Sequence, residues 1–226
     1  SRLVVQDFKG RMKPVHTLSR EVLRKIYRKE SYEGASADQV LLSLFANSRE
    51  WYSIPLIKLG KHKEIEKKLG ASGTYAAYKD FFEKNGGYKL TEEMRRIQSL
   101  APIDRGVYEK ELLKIDERVN ILNMLFSGNL LRIVPKVGDS NNTWLSSLQH
   151  KGGNHDHAPS PADNFFQSYK SALNKALATQ DYREADAMLD ELAAYQIEKG
   201  GDIVPSSAKL SAEILLNNSQ VFNRLT

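Results

Sequence analysis

Cysteine is absent from all 226 residues of the chain, which excludes disulfide bonds, thiolate nucleophiles and cysteine-ligated metal centres. Long hydrophobic runs are missing too, because no stretch approaches the roughly 20 apolar residues that span a bilayer, and no signal peptide is recognisable. The sequence begins Ser-Arg-Leu without a methionine, so we expect an excised fragment or a processed chain. Its composition, with 41% hydrophobic and 27% charged residues, is that of a globular, soluble protein.

Recognisable catalytic motifs are also lacking. The sequence contains no Gly-x-Ser-x-Gly, P-loop, dinucleotide fingerprint, HExxH or kinase motif. Acidic pairs such as Glu92-Glu93 and Asp190-Glu191 are adjacent in sequence, and adjacent side chains on a helix point in different directions. We interpret these absences as favouring binding, placement or scaffolding over catalysis by this chain.

Positive charge is concentrated in the first third of the sequence. The formal net charge is +5, and residues 1–70 carry fifteen Lys and Arg against eight Asp and Glu, so the other 156 residues sum to −2. Arg20, Arg24 and Arg28 recur every four residues on one face of a predicted helix. A basic surface of this kind attracts anionic lipid head groups or acidic partners, and it is equally typical of a solvated face. Because no interleaved aromatic residues or known reading motif accompany it, we predict no binding to nucleic acid.

Helical periodicity dominates the sequence and predicts a mostly α-helical fold with few short strands. Thr17 is the predicted N-cap of the basic helix, and Ser36 with Gln39 predicts a capping box before an apolar helix. We expect Gly70 to end a short charged helix and residues 75–84 to form another helix.

The strongest helical pattern lies near the middle of the chain. Apolar residues from Tyr108 to Phe126 follow spacings of 4, 3, 4, 3 and 4, which predict a core helix over about 105–127. Asp116, Asn120 and Asn123 form a polar stripe beside these apolar residues. Because both residue types are poor helix formers, we expect them to hydrogen-bond to adjacent loops.

Three regions are predicted along the chain. They are a basic helical region over 1–137, a loop or linker over 138–161 that is rich in Gly, Asn, Ser and Pro, and a C-terminal helical region over 162–226. The last region is predicted to contain an antiparallel helical hairpin, similar to one tetratricopeptide unit, with a tight turn at Gln180-Asp181. A final helix is predicted over about 206–225.

Histidine supplies the candidate metal chemistry. His150, His155 and His157 lie in one segment flanked by Gly and Pro, and imidazole suits zinc, nickel or copper. A tight site needs a rigid scaffold, so the composition favours a mobile or weakly chelating loop over a metal centre; a metal-dependent hydrolase built on this segment is a third function class. His16 precedes the predicted cap and is expected to pack at the helix start, with haem ligation or a proton switch as alternatives.

The opening residues carry a family resemblance. Asp-x-x-Gly-Arg-x-Lys-Pro followed by Thr-x-x-Arg-Glu-Val resembles the fused cytochrome c biogenesis proteins of system II, in which haem exporter and haem lyase share one chain (the ResB/CcsA type of Bacteroides and its relatives). Further similar blocks follow in order at 30–44, 50–62, 104–121, 138–144 and 204–225. The resemblance covers nearly the whole sequence and is least clear over 145–160.

This resemblance implies a parent protein that passes haem across the membrane and attaches it to a Cys-x-x-Cys-His apocytochrome c. The haem-handling parts of such proteins are a tryptophan-rich segment and histidines in or beside transmembrane helices. Neither is matched here, since Trp51 and Trp144 stand in no Trp-Trp-Asp arrangement, so no catalytic residue and no cofactor are predicted for this chain, while haem is the cofactor of the parent. The residues that carry over, as a family signature for binding, are Gly10, Arg11, Lys13, Pro14, Arg20, Arg24 and Arg28.

The resemblance further implies a domain on the periplasmic side of the inner membrane. We expect it to position apocytochrome c or to support the membrane-embedded remainder of the parent protein, which is itself a haem lyase. The final helix would lead towards a membrane segment, and an anionic lipid surface is a further candidate partner for the basic region. The alternative function is a helical protein–protein interaction adaptor unrelated to haem.

Overall fold

The computed structural model describes residues 3–71, 73–146 and 161–219. Within these ranges the chain is mostly helical, with nine α-helices and eight short strands that pair into four antiparallel two-stranded sheets. The predicted fold class is therefore confirmed.

Short strand pairs introduce or separate the helices. The strands are β1 (Val4–Gln6), β2 (Met12–Pro14), β3 (Ser31–Tyr32), β4 (Ala35–Ser36), β5 (Pro55–Lys58), β6 (Tyr75–Ala77), β7 (Val134–Pro135) and β8 (Trp144–Leu145). The helices are α1 (Val15–Ile26), α2 (Ala37–Ala46), α3 (Ser48–Trp51), α4 (Lys63–Leu69), α5 (Thr91–Ser99), α6 (Val107–Phe126), α7 (Pro161–Thr179), α8 (Arg183–Lys199) and α9 (Ser207–Ser219).

Helix α1 begins earlier than the sequence predicts. Pro14 ends β2 and is the N-cap, with no side-chain cap, so the prediction that Thr17 caps this helix is wrong. The backbone N–H of Val15 donates to the carbonyl oxygen of Leu3 at 3.0 Å, which satisfies one of the free amides at the helix start that a side-chain cap would otherwise take. His16 consequently lies inside the first turn of α1 instead of preceding the cap.

Of the other local predictions, two are confirmed and one is wrong. The capping box of α2 is confirmed, because Gln39 N–H donates to Ser36 Oγ at 3.3 Å and Ser36 N–H donates to Gln39 Oε1 at 2.8 Å. Gly70 ends α4 with a left-handed φ of 69°. The helix expected over 75–84 is wrong, since β6 pairs with β5 there and a 3₁₀ turn follows at Tyr78–Phe81. Aromatic-rich segments suit strands as well as helices, and pairing decides between them here.

Helix α6 is the central core helix, as predicted. Leu112, Ile115 and Leu122 are buried and belong to the main hydrophobic cluster. Its polar side chains bond to neighbouring segments: Tyr88 Oη donates to Asp116 Oδ1 at 2.8 Å, and Tyr78 Oη donates to Asn123 Oδ1 at 3.0 Å. These bonds confirm the role expected for Asp116 and Asn123, whereas Asn120 Nδ2 donates to Asp116 Oδ2 within α6 at 2.9 Å.

The C-terminal hairpin is formed by α7 and α8, which pack on each other. The turn between them includes Gln180 at a left-handed φ of 59°, in agreement with the predicted turn. Phe166 and Leu192 from this hairpin join the main hydrophobic cluster together with Leu23 of α1. The proposed division of the chain near 138–161 stays a prediction, and residues 147–160 lie outside the described ranges.

A buried glutamine fastens β1 to this hairpin. Gln196 on α8 accepts a hydrogen bond from Val4 N–H at 2.9 Å and donates to the carbonyl oxygens of Val4 and Ile133 at 2.9 and 2.7 Å. Three main-chain groups therefore depend on one side-chain amide, because a buried backbone group needs a partner.

Helix α9 is the last described element and lies against α1 and β2. It buries none of its residues. The predicted helix over about 206–225 is seen as far as Ser219, and residues 220–226 fall outside the described ranges. Among the residues described, no helix is both long and apolar enough to cross a membrane.

Candidate functional site

The seven residues of the predicted binding signature lie in several environments. Gly10 and Arg11 are exposed in the turn between β1 and β2, where Gly10 has a φ of 82° that favours glycine. Lys13 and Pro14 are buried in β2. Arg20 is only 8% exposed, Arg24 is half-buried and Arg28 is exposed. The signature does not form one exposed row, and its role in binding stays a prediction.

The predicted row of arginines on α1 includes Arg20 and Arg24 but not Arg28. Helix α1 stops at Ile26, and Arg28 lies beyond it with a left-handed φ of 64°. Arg20 Nη2 lies 2.5 Å from Glu30 Oε2, and Arg24 Nη1 lies 3.6 Å from the other oxygen of the same carboxylate. Glu30 thus contacts two of the three guanidinium groups, and its single negative charge provides the internal partner that the buried Arg20 requires.

Lys13 is also engaged internally. Its ammonium nitrogen lies 2.5 Å from Glu21 Oε2, and its side chain is 9% exposed. The ammonium is desolvated at a cost that the carboxylate of α1 offsets. This pair, like the contacts of Arg20, stabilises the fold and leaves little free positive charge at that place.

Helix α9 is attached to α1 by polar contacts that we call the polar clasp, defined by His16, Thr17 and Arg20 on α1 and Asn217 and Asn218 on α9. Asn218 Oδ1 accepts from Arg20 Nη1 at 2.6 Å and lies 3.0 Å from His16 Nε2. Asn217 Nδ2 donates to Thr17 Oγ1 at 2.9 Å. Since α9 buries no residue, these hydrogen bonds carry a large part of its attachment.

An ion pair continues this contact towards the first hairpin. Arg11 Nη2 lies 3.1 Å from Glu213 Oε1 of α9. The Arg11 side chain is largely exposed, so the pair is a surface salt bridge and stabilises by about 0–1 kcal/mol. Arg11 is the signature residue that combines exposure with a contact to the last described helix.

His16 has partners on both ring nitrogens. Nδ1 lies 2.7 Å from Asp38 Oδ2 on α2, opposite to the contact of Nε2 with Asn218. The Ser19 hydroxyl donates to the other oxygen of Asp38. Asp38 therefore lies between the serine and the histidine, whereas a hydrolytic triad places the histidine between the other two. With both nitrogens occupied, this arrangement offers no free imidazole lone pair for haem iron.

The histidines of the predicted metal segment, His150, His155 and His157, lie outside the described residues, and a metal site there stays a prediction. Within 3–71, 73–146 and 161–219, no group of three or more His, Asp or Glu side chains is placed to hold a metal ion.

A groove of about 200 Å³, which we call the apolar groove, opens on the other side of His16. It is lined by residues from α2, α7, α8 and the segment before β7, chiefly Leu42, Phe45, Phe165, Tyr169, Leu131 and Leu189, with Asp38 at its edge. The rings of Phe165 and Tyr169 stack with centroids 5.6 Å apart. Burial, and secondarily the charge of Asp186 on α8, raises the pKa of Tyr169 to about 12.

Sequence reasoning missed this groove. One signal was available, since Val40-Leu41-Leu42 is a continuous apolar run, longer than one helical stripe needs for its buried face. The excess apolar residue is Leu42, which is 37% exposed at the groove.

The described residues thus define a mostly helical fold, in which the polar clasp joins α1 to α9 and the apolar groove lies where α2 meets the C-terminal hairpin. No protein-family model matches the chain. Over 99% of its length the chain is 38% identical to protein NrfI of Wolinella succinogenes, and we conclude that the two are homologous. The chain spans 24% of the length of that relative.

Proposed function

We propose that this chain is the extracytoplasmic domain of a cytochrome c biogenesis membrane protein, in which it positions apocytochrome c or supports the haem-handling core. The observation that carries the proposal is the 38% identity to NrfI over 99% of the chain, a relationship that supports a role in cytochrome c biogenesis and haem attachment. It agrees with the resemblance carried by the Gly-Arg-x-Lys-Pro opening. In this proposal haem belongs to the parent protein, and the domain lies on the periplasmic side of the inner membrane.

The polar clasp supports the idea of a domain held within a larger membrane protein. It joins residues 200 positions apart in sequence, as in the bond from Asn217 to Thr17. The first and last described helices are therefore side by side. The ends of a domain often lie close together at its surface, which permits insertion into a larger protein, and a domain between two membrane segments is one case of this.

Ion pairs within the protein reduce the contribution that we expect from lipid binding. A basic residue near an anionic membrane contributes about 1 kcal/mol, but Lys13 and Arg20 are buried and paired with Glu21 and Glu30. The basic region is therefore expected to bind anionic vesicles less strongly than its sequence charge suggests. We place protein partners ahead of lipid for this reason.

The test is capture of apocytochrome c peptides by the purified chain. We expect peptides that carry Cys-x-x-Cys-His to bind more strongly than matched peptides in which both cysteines and the histidine are replaced. Equal and negligible capture of the two would contradict the proposal. The isolated chain should attach no haem covalently to these peptides, and a working attachment reaction would contradict that part.

The second candidate function is a helical protein–protein adaptor unrelated to haem. The apolar groove favours it, because exposed apolar surfaces with polar edges are typical of protein-binding sites. Strong binding of peptides without regard to the Cys-x-x-Cys-His motif, combined with the absence of any effect of the chain on cytochrome c maturation, would select this candidate.

A further inference from the structure

We propose that the apolar groove binds a single aromatic side chain of a cationic peptide segment. The inference deepens the proposed function, on which it rests for the identity of the partner protein alone: the segment would belong to the apocytochrome that the domain positions. The groove itself, and the chemistry of what fits it, follow from the residues that line it.

The size of the groove limits its occupant to about one side chain. Its volume is about 200 Å³. An apolar cavity of about 150 Å³ takes up benzene, whereas sites for drug-sized ligands and cofactors measure roughly 300–1,000 Å³. One aromatic ring therefore fills the groove, and a large planar cofactor exceeds it.

The walls favour an aromatic anchor over an aliphatic one. Phe45 and Phe166 have ring centroids 5.4 Å apart with planes at 55°, and Phe165 lies 5.8 Å from Phe166 with planes at 73°. Aromatic rings prefer such tilted or edge-to-face neighbours at about 4.5–7 Å. An incoming ring at Leu42 and Phe45 would extend this cluster, with Leu42 moving from partial exposure to burial.

The charges around the opening favour a cationic segment. Asp38 stands at one edge with its side chain 49% exposed, and Asp186 on the opposite helix is exposed and close enough to Tyr169 for its charge to be felt there. Helix α8 carries five acidic residues against two basic ones, and two of the acids, Glu184 and Glu198, pair with Lys175 and Lys199. The arginines Arg20 and Arg24 contact Glu30 and do not line the groove. A Lys or Arg next to the aromatic anchor would meet the negative charge of Asp38 at the edge of the groove and that of Asp186 near Tyr169.

The first experiment measures fluorescence anisotropy of short labelled synthetic peptides with the whole chain. One peptide carries a single Phe among Lys and Ala, the second replaces Phe by Ala, and the third replaces each Lys by Glu. We expect each replacement to weaken binding, by about tenfold for the aromatic residue as the central anchor. Binding that is indifferent to Phe→Ala, or no measurable binding of any peptide, overturns the proposal.

The second experiment locates the site with matched variants. Leu42→Glu places a charge at the groove and should weaken binding of the Phe peptide about tenfold, whereas Leu177→Glu alters a residue of α7 that is 49% exposed and does not line the groove, and should leave binding unchanged. Equal affinities for the two variants overturn the proposal. Sedimentation of both variants tests a second copy of the chain as occupant: self-association that Leu42→Glu abolishes, without peptide binding, also overturns it.

A third variant guards against misfolding of Leu42→Glu, which circular dichroism detects. Asp186→Asn removes one exposed charge and should weaken binding two- to threefold, while Glu198→Gln at the far end of α8 should have no effect. Because these peptides lack Cys-x-x-Cys-His, failure of the groove and failure of the proposed function give different results. Binding of the Phe peptide without motif-dependent capture of apocytochrome peptides rejects the function alone, and the reverse result rejects the groove.

Discussion

The two sides of helix α1 differ in the chemistry of their contacts. Towards α9, Arg20 and Thr17 make a polar contact in which the charged and polar groups find partners inside the protein. Towards α2 and α7, the apolar groove leaves Leu42 and Phe165 partly uncovered. The side that is conspicuous in sequence, because of its arginines, is paired internally at Arg20, and the side that is inconspicuous in sequence leaves apolar side chains partly exposed.

His16 belongs to both sides. Its Nε2 lies 3.0 Å from Asn218 in the polar clasp, and its Nδ1 lies 2.7 Å from Asp38 at the edge of the apolar groove. The net positive charge of a sequence therefore does not tell how many charges are exposed. Acidic residues elsewhere in the chain can pair with the basic side chains in the folded protein. The variants that follow separate the two sides.

The largest effect should come from a residue that supports both sides at once. Gln196→Leu leaves the N–H and C=O of Val4 and the C=O of Ile133 without their side-chain partner. We expect the free energy of unfolding to fall by about 3 kcal/mol, because each unsatisfied buried group costs about 1–3 kcal/mol. Urea unfolding of the variant measures this loss.

The matched control for that change is Gln98→Leu on the exposed surface of α5. It should alter the free energy of unfolding by less than about 0.5 kcal/mol. A Gln196→Leu variant as stable as this control would mean that β1 is held by other contacts, and that the two sides of α1 do not share a support.

Arg20→Ala should weaken the contacts between α1 and α9 and leave the apolar groove unchanged. Removal of the guanidinium takes from Glu30 the nearer of its two arginine contacts and removes a donor from Asn218. We expect a loss of about 2–3 kcal/mol in the free energy of unfolding, somewhat below the value for a fully buried pair because Glu30 is partly exposed. Urea unfolding measures it, together with peptide binding at the apolar groove, which should not change.

Arg28→Gln is the control, since Arg28 is exposed beyond the end of α1. It should be nearly neutral. If Arg20→Ala proved equally neutral, Arg20 would not be neutralised internally in solution, and an exposed arginine row on α1 would again be the better description.

The sequence predicted what depends on local patterns. The spacing from Tyr108 to Phe126 gave the core helix, and Ser36 with Gln39 gave the start of α2, because both signals lie within a few turns of one helix. Helix α1 begins three residues earlier than predicted, since the pairing of β1 with β2 sets its start. No sequence rule announces that pairing.

The candidate site was harder to predict for the same reason. Arg20 is paired with Asn218, 198 positions away, and the apolar groove forms where α2 meets a hairpin that lies more than a hundred residues later. Periodicity identifies the faces of each helix. It does not tell which faces meet, and so it could not distinguish a satisfied arginine from a free one.

Alkaline pH should lower the free energy of unfolding through Tyr169, which lines the apolar groove. Burial raises the pKa of Tyr169 from its ordinary value of 10.0 to about 12, so the phenol ionises more readily in the unfolded chain. Below pH 10 both states are neutral and the shift has no effect; as the pH rises from 10 to 12, stability falls, by roughly 1–2 kcal/mol for this group.

Urea unfolding of the wild type and of Tyr169→Phe at pH 8 and pH 11 isolates this contribution. The variant should lose less stability between the two pH values, whereas Tyr182→Phe, which alters an exposed phenol before α8, should behave as the wild type. An identical loss in all three proteins would show that Tyr169 is hydrated in solution and that the groove is looser than described.

The smallest effect is expected from Asn218→Ala, which opens the polar clasp without removing a charge. The side chain accepts from Arg20 at 2.6 Å and meets His16 at 3.0 Å, and loss of a partly exposed acceptor costs about 1 kcal/mol. Because α9 buries no residue, this cost should act locally, so amide hydrogen exchange in α9 should quicken about fivefold while exchange in α7 stays constant. Leu216→Ala, which truncates a residue that is 58% exposed on the same helix, should leave both rates unchanged. Equal exchange in the two variants would show that α9 is held by its ion pair and its apolar contacts, and the polar clasp would then not be what distinguishes this side of α1 from the groove.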